Sequence, residues 1–170
     1  MLNDLTEQYF NEKRVEKRWV ILKTIVFECE SASKEFFEKA FKKERKLEMK
    51  LLALRGYAYY ATESEVEKFV ERIMSSLIKV PQSTPYAYNL YEDMRGEYLL
   101  PYLLKTYIYP CLIKLSEQVE KQYDAMPDVF KNVYSYDEFG NAYSIRDPEE
   151  VTKSWDEFYR EKWGDRYFHR

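Results

Sequence analysis

Glycine is scarce in this sequence, with four residues among 170, and six prolines provide most of the other chain breaks. Between these breaks, apolar residues recur every three or four positions, as in Val15, Trp19, Leu22 and Val26. This spacing places them on one face of a helix, and a chain with few turn residues favours long helices over many short strands. We therefore predict an all-α fold of six to eight antiparallel helices with short connections.

Helix-start signals divide this pattern into segments. A capping residue followed three positions later by Glu, or directly by Pro, is typical of the first turn of a helix. The sequence has such signals at four places: Asp4 with Glu7, Thr62 with Glu65 or alternatively Ser64 with Glu67, Thr84 with Pro85, and Asp147 with Pro148. The first of these is predicted to begin one helix that continues through Val26.

Two further features concern packing and topology. Gly56 lies inside a predicted helix over 47–61, where glycine costs about 1 kcal/mol relative to alanine, so we expect another helix to approach it closely. Residues 134–145 alternate around a Gly-containing turn and predict one minor β-hairpin. We expect residues 1–170 to form one helical domain, in which 47–61 with 63–80, and 86–94 with 97–109, pair as HEAT-like helical hairpins.

Few residues are suited to catalysis or to binding a cofactor. The single histidine is His169, the penultimate residue, and four scattered glycines cannot form a phosphate-binding loop. Cys29 and Cys111 have no partner at metal-ligand spacing, so we expect two free thiols near the core. We predict a protein that is not an enzyme and that needs no cofactor or metal. The alternative is an acid–base pair among the 30 carboxylates, which would require a polar cleft.

The net charge of −3 is unevenly distributed. Residues 1–60 hold 13 Lys and Arg against 10 Asp and Glu, whereas residues 116–157 hold 4 against 11. The acidic segment could attract a basic partner and repel nucleic acid. A lysine stripe between Lys39 and Lys50 could instead contact phosphates, but interleaved glutamates favour a solvated face with i,i+4 pairs. We therefore expect no nucleic-acid partner and keep that interpretation as an alternative.

Tyrosine is unusually frequent, with 17 residues. Tyrosine combines a large contact area with a polar tip and is common at protein interfaces, although most of these residues are expected at the edge of the core. Tyr86, Tyr88 and Tyr91 lie on one short segment and cannot all face the interior. Some of them should therefore be exposed beside Glu92 and Asp93.

Several stretches resemble a known class of small helical proteins. They are Leu54-Arg55-Gly56-Tyr57-Ala58, EYLLPYL at 97–103, EKQYDAMPD at 120–128 and YDEFGN at 136–141. Within 47–160 the chain resembles HEAT-like immunity proteins encoded beside polymorphic or contact-dependent bacterial toxins. The resemblance implies a cytoplasmic protein that covers the active site of a cognate toxin, often a basic nuclease.

An acidic, tyrosine-bearing surface would suit such a partner. The expected contacts are Tyr86, Tyr88, Tyr91, Asp128, Asp137 and Glu138. No targeting segment is evident, and no apolar stretch approaches the ~20 residues of a membrane span, so we expect a cytoplasmic protein without a membrane partner. The main alternative is a helical scaffold or adaptor that binds an endogenous protein. A nucleic-acid binder of the helical-repeat kind ranks below it.

Overall fold

The computed structural model describes residues 2–81 and 84–164, and His169 lies outside them. This part of the chain is mostly helical, with nine α-helices and one two-stranded antiparallel sheet. The helices are α1 (Leu2–Asn11), α2 (Val15–Glu28), α3 (Lys34–Lys43), α4 (Leu47–Ala58), α5 (Glu63–Leu77), α6 (Pro85–Met94), α7 (Leu100–Thr106), α8 (Pro110–Asp124) and α9 (Pro148–Trp163). The strands are β1 (Tyr134–Tyr136) and β2 (Ala142–Ser144), and a short 3-10 turn spans Asp128–Phe130. The all-α prediction with one minor hairpin is confirmed.

Three of the four predicted start signals begin helices. The Thr62 hydroxyl accepts the Glu65 N–H at 3.2 Å while the Glu65 carboxylate accepts the Thr62 N–H at 2.9 Å, which completes a capping box. Thr84 caps α6 and Asp147 caps α9. The prediction for Asp4 and Glu7 is wrong, because α1 already begins at Leu2 and Asp4 lies in its first turn.

The predicted first helix is in fact two helices, α1 and α2. The chain leaves helical geometry at Glu12–Arg14, where the Arg18 guanidinium donates to the Glu12 and Lys13 carbonyl oxygens at 3.2 and 2.8 Å. Arg18 also donates to the buried Glu44 at 2.8 Å. A side chain from the following helix therefore provides hydrogen bonds for the carbonyls that a continuous helix would have bonded itself.

Helix α4 lies at the centre of the fold and packs against α2, α3, α5 and α6. Gly56 faces the buried Phe37 ring of α3, which confirms the predicted close approach. Helices α4 and α5 contact each other as predicted. Helices α6 and α7, by contrast, each pack on α8 more than on one another, so the second predicted helical pair is wrong. One hydrophobic cluster extends from Tyr9 to Phe130.

The hairpin is fastened to α6 and to the segment that follows it. The Tyr134 hydroxyl donates to Asp93 at 2.8 Å, and the Glu97 N–H donates to the Tyr136 carbonyl at 3.2 Å. At the turn, Lys23 of α2 donates to the Gly140 carbonyl at 3.3 Å. These contacts hold the hairpin beside α2 and α6, with a cleft between them.

Candidate functional site

We name this space the hairpin cleft. Its walls come from four parts of the fold: Val15, Glu16, Trp19 and Val20 of α2, Glu48 and Met49 of α4, Asp93 of α6, and Tyr98 and Tyr136 from the α6–α7 connection and β1. The cleft has a volume of about 370 Å³, which is within the range of small-ligand pockets. It therefore combines apolar and aromatic walls with three carboxylates.

The aromatic wall is a connected set of three rings. The Trp19 and Tyr136 ring centroids are 6.1 Å apart, and those of Tyr98 and Tyr136 are 5.3 Å apart. The Trp19 indole N–H donates to the Tyr98 hydroxyl at 3.4 Å. Lys23 Nζ lies 4.4 Å from the Trp19 centroid, so this wall already attracts one cation of the chain itself.

Asp93 is the carboxylate with the most altered acidity. Burial raises its pKa to about 7, and the neighbouring Glu48 and Glu92 carboxylates act in the same direction. The hydroxyls of Tyr134 and Tyr136 oppose this rise in the pKa, because their hydrogen bonds stabilise the ionised form. Asp93 therefore changes charge near neutral pH.

Glu48 lies in the first turn of α4 and faces the same cleft. Burial raises its pKa, and Glu44 adds to this, while its own backbone N–H and Lys46 act against it. Its Oε2 is buried and has no hydrogen-bond partner among the described residues. An ionised oxygen in that position is costly unless a donor or a cation reaches it.

The other buried carboxylates of the chain do have cationic partners. Glu44 receives Arg18 Nε at 2.8 Å and the Tyr9 hydroxyl at 2.7 Å. Glu92 lies 3.6 Å from Arg95 Nη1 and accepts the Asn132 N–H at 3.0 Å. Within residues 2–81 and 84–164, no lysine or arginine nitrogen lies within 4.0 Å of Glu48 or Asp93. Glu48 and Asp93 therefore have no cationic partner among the described residues, and the hydrogen bonds that Asp93 accepts come from the neutral Tyr134 and Tyr136 hydroxyls.

Two of the tyrosines expected at the partner surface lie in the core. Tyr88 is stacked on Phe130 with centroids 3.8 Å apart, and the Tyr91 hydroxyl accepts a hydrogen bond from Gln122 at 2.8 Å. Both residues are essentially without solvent exposure. Their assignment as surface contacts is therefore wrong, because α6 turns this face towards α8 and the 3-10 turn.

Tyr86 is the exposed member of the three, as the sequence required of at least one. It is 39% exposed. Burial of the rest of the side chain and the nearby Glu48 carboxylate raise its pKa to about 12, while the Leu47 backbone N–H acts in the opposite direction. Tyr86 therefore lies beside the N-terminus of α4, next to one of the cleft carboxylates.

The three predicted acidic contacts have different environments. Asp137 accepts the backbone N–H groups of Phe139 and Asn141, each at 2.9 Å, and these bonds hold the pKa of its carboxyl below the usual range. Glu138 is exposed on the same turn, which directly follows Tyr136 of the cleft. Asp128 is on the 3-10 turn, where it pairs with Lys131 at 3.1 Å, and it does not line the cleft. Of the predicted contacts, Glu138 and Tyr86 thus lie beside the cleft. Either residue can be substituted without removing a hydrogen bond that holds the turn.

Two lysines of the stripe between Lys39 and Lys50 are paired with glutamates. Lys39 pairs with Glu35 at 3.0 Å and Lys42 with Glu38 at 2.9 Å, both at i,i+4 spacing. Lys50 donates to the Phe41 carbonyl at 2.7 Å. The Lys39 and Lys42 pairs are the kind that the interleaved glutamates predicted, whereas Lys43 and Lys46 have no carboxylate within 4.0 Å among the described residues.

The sequence contained no signal for the hairpin cleft. Glu48 and Asp93 are 45 residues apart, and each resembles many other carboxylates of this acidic chain. Trp19 was assigned to the core face of its helix, and it does pack against the core while also lining the cleft. The cleft is lined mostly by apolar and aromatic side chains, with Glu16, Glu48 and Asp93 among them.

Cys29 and Cys111 are free and half-buried, as expected. Within residues 2–81 and 84–164 there is no group of three His, Cys, Asp or Glu side chains that could hold a metal ion. In the same ranges, every helix is too short or too polar to cross a membrane.

We compared the chain with models of protein families, with curated proteins and with solved structures. None of the three comparisons finds a match. The candidate site therefore depends on the geometry described above.

Proposed function

We propose that this chain is an immunity protein that binds and neutralises a cognate bacterial toxin with a basic active-site face. The contact surface consists of the hairpin turn at 137–141 and the adjoining hairpin cleft. The observation that carries the proposal is the pair of carboxylates without a cationic partner, Glu48 and Asp93, behind an exposed acidic turn. Such an arrangement is complementary to a partner that brings its own positive charge.

The hairpin also offers apolar area to a partner. Phe139, Tyr143 and Ile145 are 59%, 47% and 49% exposed, although each is an apolar or aromatic side chain. A protein interface usually combines such groups with a polar rim. The acidic segment 116–157, which includes the whole hairpin, would attract a basic protein and increase its rate of association.

The identity of the partner is the first test. The purified chain, immobilised through its C-terminus, is incubated with a lysate of its native cells, and the captured proteins are identified. We expect a basic protein whose toxicity the chain suppresses when the two are expressed together. A non-toxic endogenous protein would instead favour the scaffold alternative, and capture of nucleic acid without protein would contradict both.

Charge reversal at Glu138 tests the surface. Glu138→Lys should slow association with the captured partner by roughly three- to tenfold at low salt, because one charge of the steering field changes sign. The effect should shrink as the salt concentration rises to about 1 M, where the Debye length falls to about 3 Å. Association and dissociation rates would be measured by surface plasmon resonance.

Glu161→Lys is the matched control for this measurement. It makes the same change of charge at an exposed position in the last turn of α9, outside the acidic segment 116–157. Equal rates for the two variants would mean that only net charge matters, and this would contradict the assignment of the turn. Asp137 is unsuitable for the test, because its carboxylate also holds the backbone of the turn.

The cleft also favours a second function, acid–base catalysis. A carboxyl whose pKa is about 7 beside a second carboxylate is an arrangement used by hydrolytic enzymes such as glycosidases. Chromogenic aryl glycosides would be incubated with the purified chain and with Asp93→Asn. Turnover that this substitution abolishes would establish catalysis, and no turnover of any glycoside would leave binding as the function of the cleft.

A further inference from the structure

The hairpin cleft lacks a cationic partner for Glu48 and Asp93. It contains two carboxylates in surroundings that disfavour their charge, and three aromatic rings. Among the described residues, no lysine or arginine nitrogen lies within 4.0 Å of either carboxylate. Glu44 in the same protein shows how the fold satisfies a buried carboxylate when the partner is internal, because Arg18 reaches it at 2.8 Å.

We propose that the hairpin cleft receives the guanidinium group of an arginine side chain presented by the partner protein. This inference rests on the proposed function and names the group that the partner contributes. The guanidinium would lie against the Trp19, Tyr98 and Tyr136 rings and donate hydrogen bonds to Glu48 and Asp93.

Charge and hydrogen bonding support a cationic donor. Glu48 Oε2 is buried and has no donor among the described residues, so a small rotation of the carboxyl group towards the cleft would let a ligand N–H supply a missing bond without displacing an existing donor. Asp93 Oδ1 already accepts the Tyr134 hydroxyl at 2.8 Å, which fixes the position of its carboxyl group. A cation between the two would stabilise the ionised form of both carboxyls at once.

The aromatic wall favours arginine over lysine. A guanidinium is planar, stacks on aromatic rings and presents five N–H donors in a fixed fork, whereas an ammonium is compact and strongly hydrated. The chain contains an example of this stacking, in which the Arg55 guanidinium carbon lies 3.4 Å from the Tyr102 centroid and 4.4 Å from the Phe27 centroid. The volume of about 370 Å³ also leaves room for the methylene stem of the side chain.

The other clefts of the described chain fit this ligand less well. The cleft lined by Arg55 already contains a guanidinium of its own. The one that includes Glu92, Arg95 and Glu120 has its charges paired, with Arg95 Nε 2.7 Å from Glu120. The cleft lined by Asp4, Glu7 and Glu12 is acidic but has no aromatic wall. Of these clefts, the hairpin cleft is therefore the one that offers a cation both carboxylates and aromatic rings.

The test uses small probes and does not need the partner. Propylguanidinium is titrated into the purified, ¹⁵N-labelled chain, and binding is followed by the NMR shifts of the Trp19 indole N–H and the Asp93 amide. We expect a Kd of roughly 1 to 10 mM, as is typical of so small a ligand. Neutral propylurea, which has a similar shape, should bind at least about tenfold more weakly, because the charge contributes much of the affinity.

Substitutions then locate the site. The double variant Glu48→Gln, Asp93→Asn keeps the size of both side chains and should weaken propylguanidinium binding by at least about tenfold. Glu71→Gln removes one negative charge from the exposed face of α5 and should leave the affinity unchanged. Equal affinity in all three proteins would overturn the proposal, as would the absence of shifts at Trp19.

Two further probes identify the source of the group. Acetyl-Gly-Arg-Gly-amide should bind at least as tightly as propylguanidinium if the cleft accepts a side chain attached to a protein backbone. Binding of the free cation but not of the tripeptide would overturn the assignment to a partner protein, and tighter binding of butylammonium would overturn the choice of arginine. These outcomes are independent of partner capture, so failure of the probe test and failure of the immunity function remain distinguishable.

Discussion

Replacing Gly56 with alanine should lower the free energy of unfolding by about 3 kcal/mol, at the upper end of what overpacking of a core costs. A Cβ at this position would fall within the ring of Phe37, against its Cε1, Cδ1 and Cζ atoms. Phe37 is 3% exposed, and its ring lies 5.3 Å from that of Phe36, so it has little room to move. Urea denaturation followed by circular dichroism would measure the loss.

The sign of the stability change for Gly56→Ala distinguishes a packed glycine from an exposed one. At an exposed helix position the same substitution would stabilise the protein by about 1 kcal/mol, because alanine has the higher helix propensity. A gain in stability for Gly56→Ala would therefore contradict the packing of α3 on α4. In a double-mutant cycle, Phe37→Leu should recover part of the loss, because the smaller side chain makes room for the new methyl group.

Local chemistry was sufficient to predict much of the fold. The spacing of apolar residues identified the helices, since burial of one face requires that period. The start signals at Thr62, Thr84 and Asp147 were reliable because each satisfies backbone N–H groups within its own helix. Such interactions depend on neighbours in the sequence and can be read without knowledge of the tertiary structure.

The failures share one physical cause, contact between distant residues. The break between α1 and α2 is stabilised by Arg18, whose position depends on Glu44 in a later part of the chain. Tyr88 and Tyr91 are buried because α8 and the 3-10 turn cover their face of α6, which no local pattern shows. The hairpin cleft likewise forms only when α2, α4, α6 and the hairpin meet.

The second large effect concerns Asp93. Asp93→Asn should raise the free energy of unfolding at pH 8 by up to about 4 kcal/mol, since its pKa rises from 3.8 to about 7 on folding and each unit corresponds to about 1.4 kcal/mol. The oxygen of the introduced amide would still accept the Tyr134 hydroxyl, and its N–H groups would donate to Tyr136. Urea denaturation of both proteins between pH 4 and pH 8 would measure the difference.

The direction in which the stability of the folded state changes with pH follows from proton binding by Asp93. The folded state holds the Asp93 proton more tightly than the unfolded state, so the stability from this group is complete below about pH 4 and is lost as the pH rises to about 7. The side-chain amide of the variant would not titrate, and the two proteins should therefore converge in acid and diverge near neutrality. The titratable groups near Asp93 are the carboxyls of Glu48 and Glu92 and the hydroxyls of Tyr86, Tyr98, Tyr134 and Tyr136. All four tyrosines have pKa values raised above this window, mainly by burial.

Glu71→Asn provides the comparison that separates this mechanism from a general loss of negative charge. Glu71 is exposed on α5, and its removal should shift the stability of the protein by no more than about 0.5 kcal/mol at any pH in this range. An equally small and pH-independent change in stability for Asp93→Asn would mean that the ionised Asp93 carboxylate is already stabilised by the protein itself. This result would contradict a binding site for a partner's cation. A large gain restricted to the neutral range would instead show that the isolated protein maintains an unfavourable charge that a cationic ligand can stabilise.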